Sequence, residues 1–188
     1  MNVLDVAIEI IDVINSLNAE YMLTGSLATN LYGIPRNTND ADFVLSPQGP
    51  DVNVISTRLG AGYKLDPQFS FESITSTTRR VIAHIETGFF IEFFGLSADP
   101  HDRERFKRRL QITFLERAVF IPTVEDVIVT KIRWAGIARR GKDISDIKSV
   151  LAVQTPRKID LNYIRRWTDL HGTTVLLNQL LAETTRIE

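Results

Sequence analysis

Apolar positions near the start of the chain recur with the period of a helix, then with that of strands. Val3, Leu4, Ile8, Ile11, Val13, Ile14 and Leu17 stand at near-helical spacing, which predicts a helix over 2–17 packed on a sheet. Asn18-Ala19-Glu20 turns the chain into Tyr21–Thr24, a short apolar strand. Leu27, Asn30 and Leu31 then fall on one side of a short helical segment that breaks at Gly33 and Pro35. Asp40-Ala41-Asp42 leads into Phe43-Val44-Leu45, a second strand. Pro47 and Pro50 mark a loop, and Asp51 is placed to cap a helix through Leu59 that stops at Gly60 and Gly62. Tyr63–Leu65 reads as a short strand. Residues 66–79, rich in Ser and Thr and containing Pro67, read as a loop or an ill-defined hairpin.

Arg80–Ile85 and Phe89–Phe94 form a predicted hairpin around Glu86-Thr87-Gly88. The second of these strands is apolar on both faces except at Glu92, the pattern of a central strand. A charged helix is expected over Pro100–Arg109, then short strands at Leu110–Phe114 and Ala118–Ile121. From Pro122 the texture is helical. Thr123 caps a helix to about Arg139 that Gly141 ends, and a second follows from Lys142 to Leu151, stopping before Pro156. Asp160–His171 and Thr173–Thr185 make four C-terminal helices in all. The expected fold is α/β (α+β): a small mixed sheet flanked by helices over residues 1–121, then a helical subdomain over 122–188. A ligand cleft is expected between the two.

Composition narrows the chemistry. Apolar content of 44% and charged content of 24% are ordinary for a globular chain of 188 residues. There are no cysteines, which excludes disulfides and thiolate metal sites. No apolar run reaches the length of a membrane span and the N-terminus lacks a signal-peptide layout, so a cytoplasmic location is expected with no membrane partner. The net charge of −1 conceals an asymmetry: residues 1–60 carry only Arg36 and Arg58 against seven acids, and the remainder holds twenty bases against sixteen acids. The basic part could face a polyanion, and Arg103, Arg105, Lys107, Arg108 and Arg109, with Arg139 and Arg140, are the candidate phosphate contacts.

Asp40 and Asp42, two apart on a strand, point to the same side. Two adjacent carboxylates at the start of an apolar strand repel each other and are costly to desolvate; a divalent cation relieves both problems. Oxygen ligands of this kind suit magnesium, which takes further ligands from a substrate's phosphates. Gly25-Ser26 lies where a strand gives way to a helix, a place where exposed amides favour an anion. Glu92, a lone carboxylate in a central strand, has two readings: a salt bridge to a neighbouring arginine, or a third carboxylate beside Asp40 and Asp42. His84, His101 and His171 have no ligand spacing. Trp134 and Trp167 read as core residues.

The arrangement Gly25-Ser26-Leu27-Ala28…Tyr32-Gly33…Arg36-x-Thr38-x-Asp40-x-Asp42 resembles the core motif of the DNA polymerase beta-like nucleotidyltransferase superfamily, in particular its AbiEii/MenT-like branch. That branch includes toxins of bacterial toxin–antitoxin pairs. The resemblance is dense over residues 20–46 and weaker around 88–94 and 123–153, where Lys131, Ala135, Lys142, Asp143 and Asp146 resemble a second block. It implies two magnesium ions (manganese as the alternative) on Asp40, Asp42 and Glu92, with Glu92 departing from the usual aspartate. It implies a nucleoside triphosphate gripped by Gly25, Ser26 and Thr38 and neutralised by Arg36, Lys131 and Lys142, with Asp143 and Asp146 orienting the lysine or the acceptor. The acceptor it implies is a hydroxyl, on RNA such as a tRNA end, with an antitoxin protein as partner. Two rivals are a small-molecule transferase of the aminoglycoside-modifying kind and a nucleotide-binding module without turnover. On physics alone Lys131 and the two aspartates read as a bridge between packed helices.

Overall fold

The computed structural model describes residues 3–138, 140–154 and 159–184. It divides into two compact units, Met1–Leu27 with Asn37–Pro122, and Ala28–Arg36 with Thr123–Glu188.

The first unit is built on a mixed sheet. After α1 (Val3–Ser16) come β1 (Tyr21–Thr24), α2 (Gly25–Asn30) and β2 (Asp40–Leu45), then α3 (Val52–Leu59) and β3 (Tyr63–Leu65). β4 (Ser70–Glu72), β5 (Thr77–His84) and β6 (Phe90–Gly95) follow. The strand order is β1-β2-β6-β5-β3, with β4 also pairing β5. Among the described residues only β2 and β6 run parallel; the other pairings are antiparallel. β6 is therefore central, as its apolar sequence requires. α4 (Pro100–Lys107) leads into a separate hairpin of β7 (Leu110–Phe114) and β8 (Arg117–Ile121).

Alternation along the strands sorts the sheet into two faces. Tyr21, Ala41, Phe43, Ile91 and Phe93 are buried on one, where Phe43 and Phe93 stack with ring centroids 5.6 Å apart. Ile91, Phe43 and Phe93, removed from water, contribute roughly 1.5–3 kcal/mol each. The other face carries Asp40 and Asp42 at one end. At its far end Phe106 of α4 packs on Met22, Val44, Phe94 and Leu96. The cap expected at Asp51 is present: its carboxylate accepts from the Asn53 amide, and Gly60 closes α3 at φ +78°. The stretch expected over 66–79 as a loop or an ill-defined hairpin is a hairpin, β4 pairing antiparallel with the start of β5.

The second unit is helical: α5 (Val124–Ala138), α6 (Gly141–Gln154), α7 (Leu161–Leu170) and α8 (Thr174–Thr184). Gly141 opens α6 rather than closing α5. Arg139 and Thr185, to which the expected helices extend, and Pro156, the expected stop, lie outside the described residues. Ile128, Ile132, Leu151, Ile164, Trp167 and Leu177 form the core. Thr123 caps α5 through the Asp126 amide and donates its hydroxyl to the Asp126 carboxylate at 2.8 Å; Tyr163 donates to the other carboxylate oxygen at 2.6 Å. Among the described residues no helix is long and apolar enough to cross a membrane.

Residues 28–36 belong to this helical unit for identifiable reasons. Tyr32 packs on its core and its carbonyl accepts from Gln154 at 2.7 Å. A Cβ on Gly33 would lie 2.7 Å from Ser149 Oγ, which itself accepts from the Ile34 amide at 2.6 Å. Arg36 forks onto Asp146.

Candidate active site

The parallel pairing of β2 and β6 sets Asp42 opposite Glu92 and Asp40 opposite Phe90. Because residues in register share a face, the three carboxylates expected from sequence stand on one side of the sheet. All three are half-buried. Thr38, just before β2, donates its hydroxyl to Asp40 Oδ1 and so fixes that carboxylate.

Gly25 explains the strand-to-helix junction. Its φ of +63° is left-handed, and a Cβ there would stand 1.7 Å from Asp42 Oδ2. Only glycine allows both the turn and the carboxylate beside it. Ser26, in the first turn of α2, is buried. β1 adds Thr24, in register with Asp42, whose hydroxyl accepts from Arg105 Nη1 at 3.2 Å.

Glu92 satisfies both of its sequence readings in part. It is in register with Asp42, and its carboxylate also accepts from Arg79 Nη1, at 3.2 Å and 3.1 Å to its two oxygens. Arg79 was missed from sequence as a site residue, since it sits at the end of a stretch read as a loop or an ill-defined hairpin. Its alternation with Val81, the residue opposite Glu92, is the signal that places it on this face. Among the described residues no three His, Asp or Glu side chains are arranged to hold a metal ion. The Asp40–Asp42 pair does fit a hard cation in donor chemistry, and the glycine cradle leaves Asp42 room to serve it. The third carboxylate is engaged by arginine.

Arg36, Lys131, Lys142, Asp143 and Asp146 lie in the helical unit. Lys131 Nζ on α5 donates to Asp143 Oδ1 at 3.1 Å and to Asp146 Oδ2 at 2.8 Å on α6. Arg36 adds a forked contact to Asp146, 2.7 Å from Nε and 3.0 Å from Nη2, and Arg140 Nε meets Asp143 Oδ2 at 2.8 Å. Asp143 and Asp146 are buried, so three cations around two carboxylates meet the demand that buried charge be paired. Burial pushes Asp146 up, but hydrogen bonds from Arg36 and Lys131, with their charges, hold it below the ordinary carboxylate value. The bridge between packed helices is thus present. These bonds use two of the three Lys131 N–H donors and hold the Arg36 fork against Asp146. Lys142 is exposed on α6.

The basic run on α4 needs correction as a phosphate surface. Arg105 is buried, 2.5 Å from the equally buried Asp102, which also accepts from Ser97. Arg109 lies over the Phe106 and Phe120 rings and donates to the Phe106 carbonyl at 2.7 Å. Both are structural, because an arginine that close to a carboxylate or ring is held by packing. Arg103, whose Nε donates to the Ser97 carbonyl at 3.4 Å, and Lys107 are exposed.

This architecture is that of the nucleotidyltransferases: a mixed sheet with helices around it, as seen in solved structures of that class. ANT(2'')-Ia, solved with adenylyl-2''-tobramycin, superposes with a TM-score of 0.61 at 11% identity, over 91% of this chain and 97% of that one. The lincosamide antibiotic adenylyltransferase LnuA, solved with lincomycin bound, gives 0.55 at 15% identity, over 79% and 96%. A Thermotoga maritima protein described as a candidate nucleotidyltransferase gives 0.55 at 16% identity, over 72% and 86%. No protein-family model matches the chain, and no curated protein matches it in sequence.

Proposed function

We propose that this protein is a metal-dependent nucleotidyltransferase that moves a nucleoside monophosphate from a nucleoside triphosphate to an acceptor hydroxyl. The observation that carries the reading is the alignment of Asp40, Asp42 and Glu92 on one sheet face, with Gly25 giving Asp42 its place. Magnesium held there would stabilise charge on the attacking and leaving oxygens. Asp40 and Asp42 supply the ligand oxygens, and Thr38 keeps Asp40 from turning away. Gly25 and Ser26 sit at the start of α2, where backbone amides suit the outer phosphates. Glu92 accepts the proton of the acceptor hydroxyl. The acceptor oxygen bonds to the α-phosphorus, the bond from that phosphorus to the bridging oxygen breaks, and pyrophosphate leaves.

RNA is the acceptor we favour, with the protein acting as the toxin of a toxin–antitoxin pair. Phe90, opposite Asp40 and 48% exposed, supports this because an open ring beside the carboxylates suits stacking of a base. The small-molecule reading draws on the antibiotic-bound enzymes that share the fold. The test is incubation with each labelled nucleoside triphosphate and total RNA, tRNA, or a panel of aminoglycosides and lincosamides, in magnesium or manganese. Label transferred to RNA by the wild type and lost in Asp42→Asn is the expected result. Transfer only to an antibiotic would replace the acceptor, and no transfer to anything with intact nucleotide binding would make the protein a binding module.

A further inference from the structure

This inference rests on the nucleotidyl-transfer reading and concerns the third carboxylate of that site. Arg79 on β5 stands on the same face as Glu92, two positions from the residue opposite it. One nitrogen of its guanidinium donates to both Glu92 oxygens, and its Nε donates to Ser70 Oγ on β4 at 2.9 Å. A single side chain thus ties the central strand β6 to the edge hairpin. A carboxylate held in this way is a poor third ligand, since a divalent ion brought beside it would also be brought beside the arginine.

Two further features make the arrangement reversible. Glutamate is one methylene longer than aspartate, so its carboxylate has the reach to lie toward β5 or across to Asp42 on β2. Arg79 is 38% exposed and Glu92 20%, so water and anions reach the pair. Guanidinium binds phosphate through forked hydrogen bonds at least as well as it binds one carboxylate. An incoming polyphosphate is therefore a competitor able to take Arg79 from Glu92.

We propose that Arg79 is a positioning residue that keeps Glu92 out of the metal group until an anionic substrate takes its guanidinium, so that the third ligand is delivered together with the nucleotide.

The test reads metal binding rather than turnover. Manganese alone is titrated into the full chain without nucleotide, and the free ion is followed by electron paramagnetic resonance. Arg79→Met, which keeps the aliphatic stem, should tighten binding by about five- to tenfold, the scale of one partly exposed charge-assisted pair. Arg79→Met combined with Glu92→Gln should lose that gain. Ser70→Ala, which retains Arg79 but frees its Nε, should move affinity the same way by a smaller factor and serves if Arg79→Met fails to fold. Unchanged affinity in folded Arg79→Met and in Ser70→Ala, or a gain that persists in the double variant, overturns the proposal. Asp42→Asn separates the two levels. If it weakens manganese binding while the Arg79 and Ser70 variants do nothing, the carboxylate site stands and the gate falls. If it changes nothing, the site reading falls and the gate with it.

Discussion

Replacing Gly25 by alanine should damage the site far more than the fold. Two penalties act at this position. A residue with a side chain at φ +63° costs about 1 kcal/mol or somewhat more. The added Cβ would also stand 1.7 Å from Asp42 Oδ2 and 2.7 Å from its Cγ, whereas ordinary contact begins near 3.4 Å. The carboxylate would have to retreat by nearly 2 Å, or the junction between β1 and α2 would have to shift, and we expect a total loss of about 2–3 kcal/mol. Gly60 supplies the control, because it too is left-handed, at φ +78°, and a Cβ added there would meet nothing within 4 Å. Gly60→Ala should lose about 1 kcal/mol, or roughly 2–4 °C in melting temperature for a chain of this size. Gly25→Ala should fall by about twice that or more and lose roughly a hundredfold in turnover, since a displacement of this order misplaces the metal ligand. Circular-dichroism melts, manganese titration and the transfer assay read all three quantities. The reasoning is refuted if Gly25→Ala melts with Gly60→Ala and keeps wild-type metal binding.

Two other predictions concern charge. Asp146 is held below its ordinary value in the folded chain, so its pairing stabilises above the unfolded carboxylate range and that stability is lost as pH falls through the folded value. Asp146→Asn should thus cost about 2–4 kcal/mol at pH 7, the low end reflecting the 36% exposure of Arg36, and the gap to wild type should narrow toward pH 3 in urea denaturation. For RNA, Arg103→Ala with Lys107→Ala should weaken binding and reduce the dependence of log affinity on log salt by about 1–2, with the melt unchanged; RNA affinity indifferent to both salt and the double variant would favour a small acceptor.

The sheet was legible because its strands are short, apolar and separated by turn residues. Tyr21–Thr24, Asp40–Leu45 and the glycine turn before β6 stand close to where their patterns put them. The Asp40–Asp42 side followed from alternation alone. β4 was legible only as one half of an ill-defined hairpin because Phe69 and Phe71 are largely exposed at an edge, amid Ser and Thr, so no burial pattern fixes the strand's bounds. Arg105 and Arg109 looked like surface charge because a run of bases does not show which members fold inward: one pairs with Asp102 three residues earlier, the other lies over aromatic rings. Arg79 was invisible as a site residue until the register of β5 against β6 was known. The attachment of residues 28–36 depends on Ser149, Gln154 and Asp146, more than a hundred positions away, which no local pattern encodes.

That attachment bears on how such a chain can be rearranged in evolution. Nine residues of the helical unit are encoded between Gly25-Ser26 and Asp40-x-Asp42, inside the spacer of a single motif. The helical unit is therefore not a cassette that recombination could exchange after Pro122. A new set of C-terminal helices would arrive without surfaces matched to Tyr32, Gly33 and Arg36, and the spacer would have to change with it. Diversification of this protein should proceed by paired substitutions across the two stretches, at sites such as Gly33 with Ser149 and Arg36 with Asp146, rather than by the shuffling of whole segments.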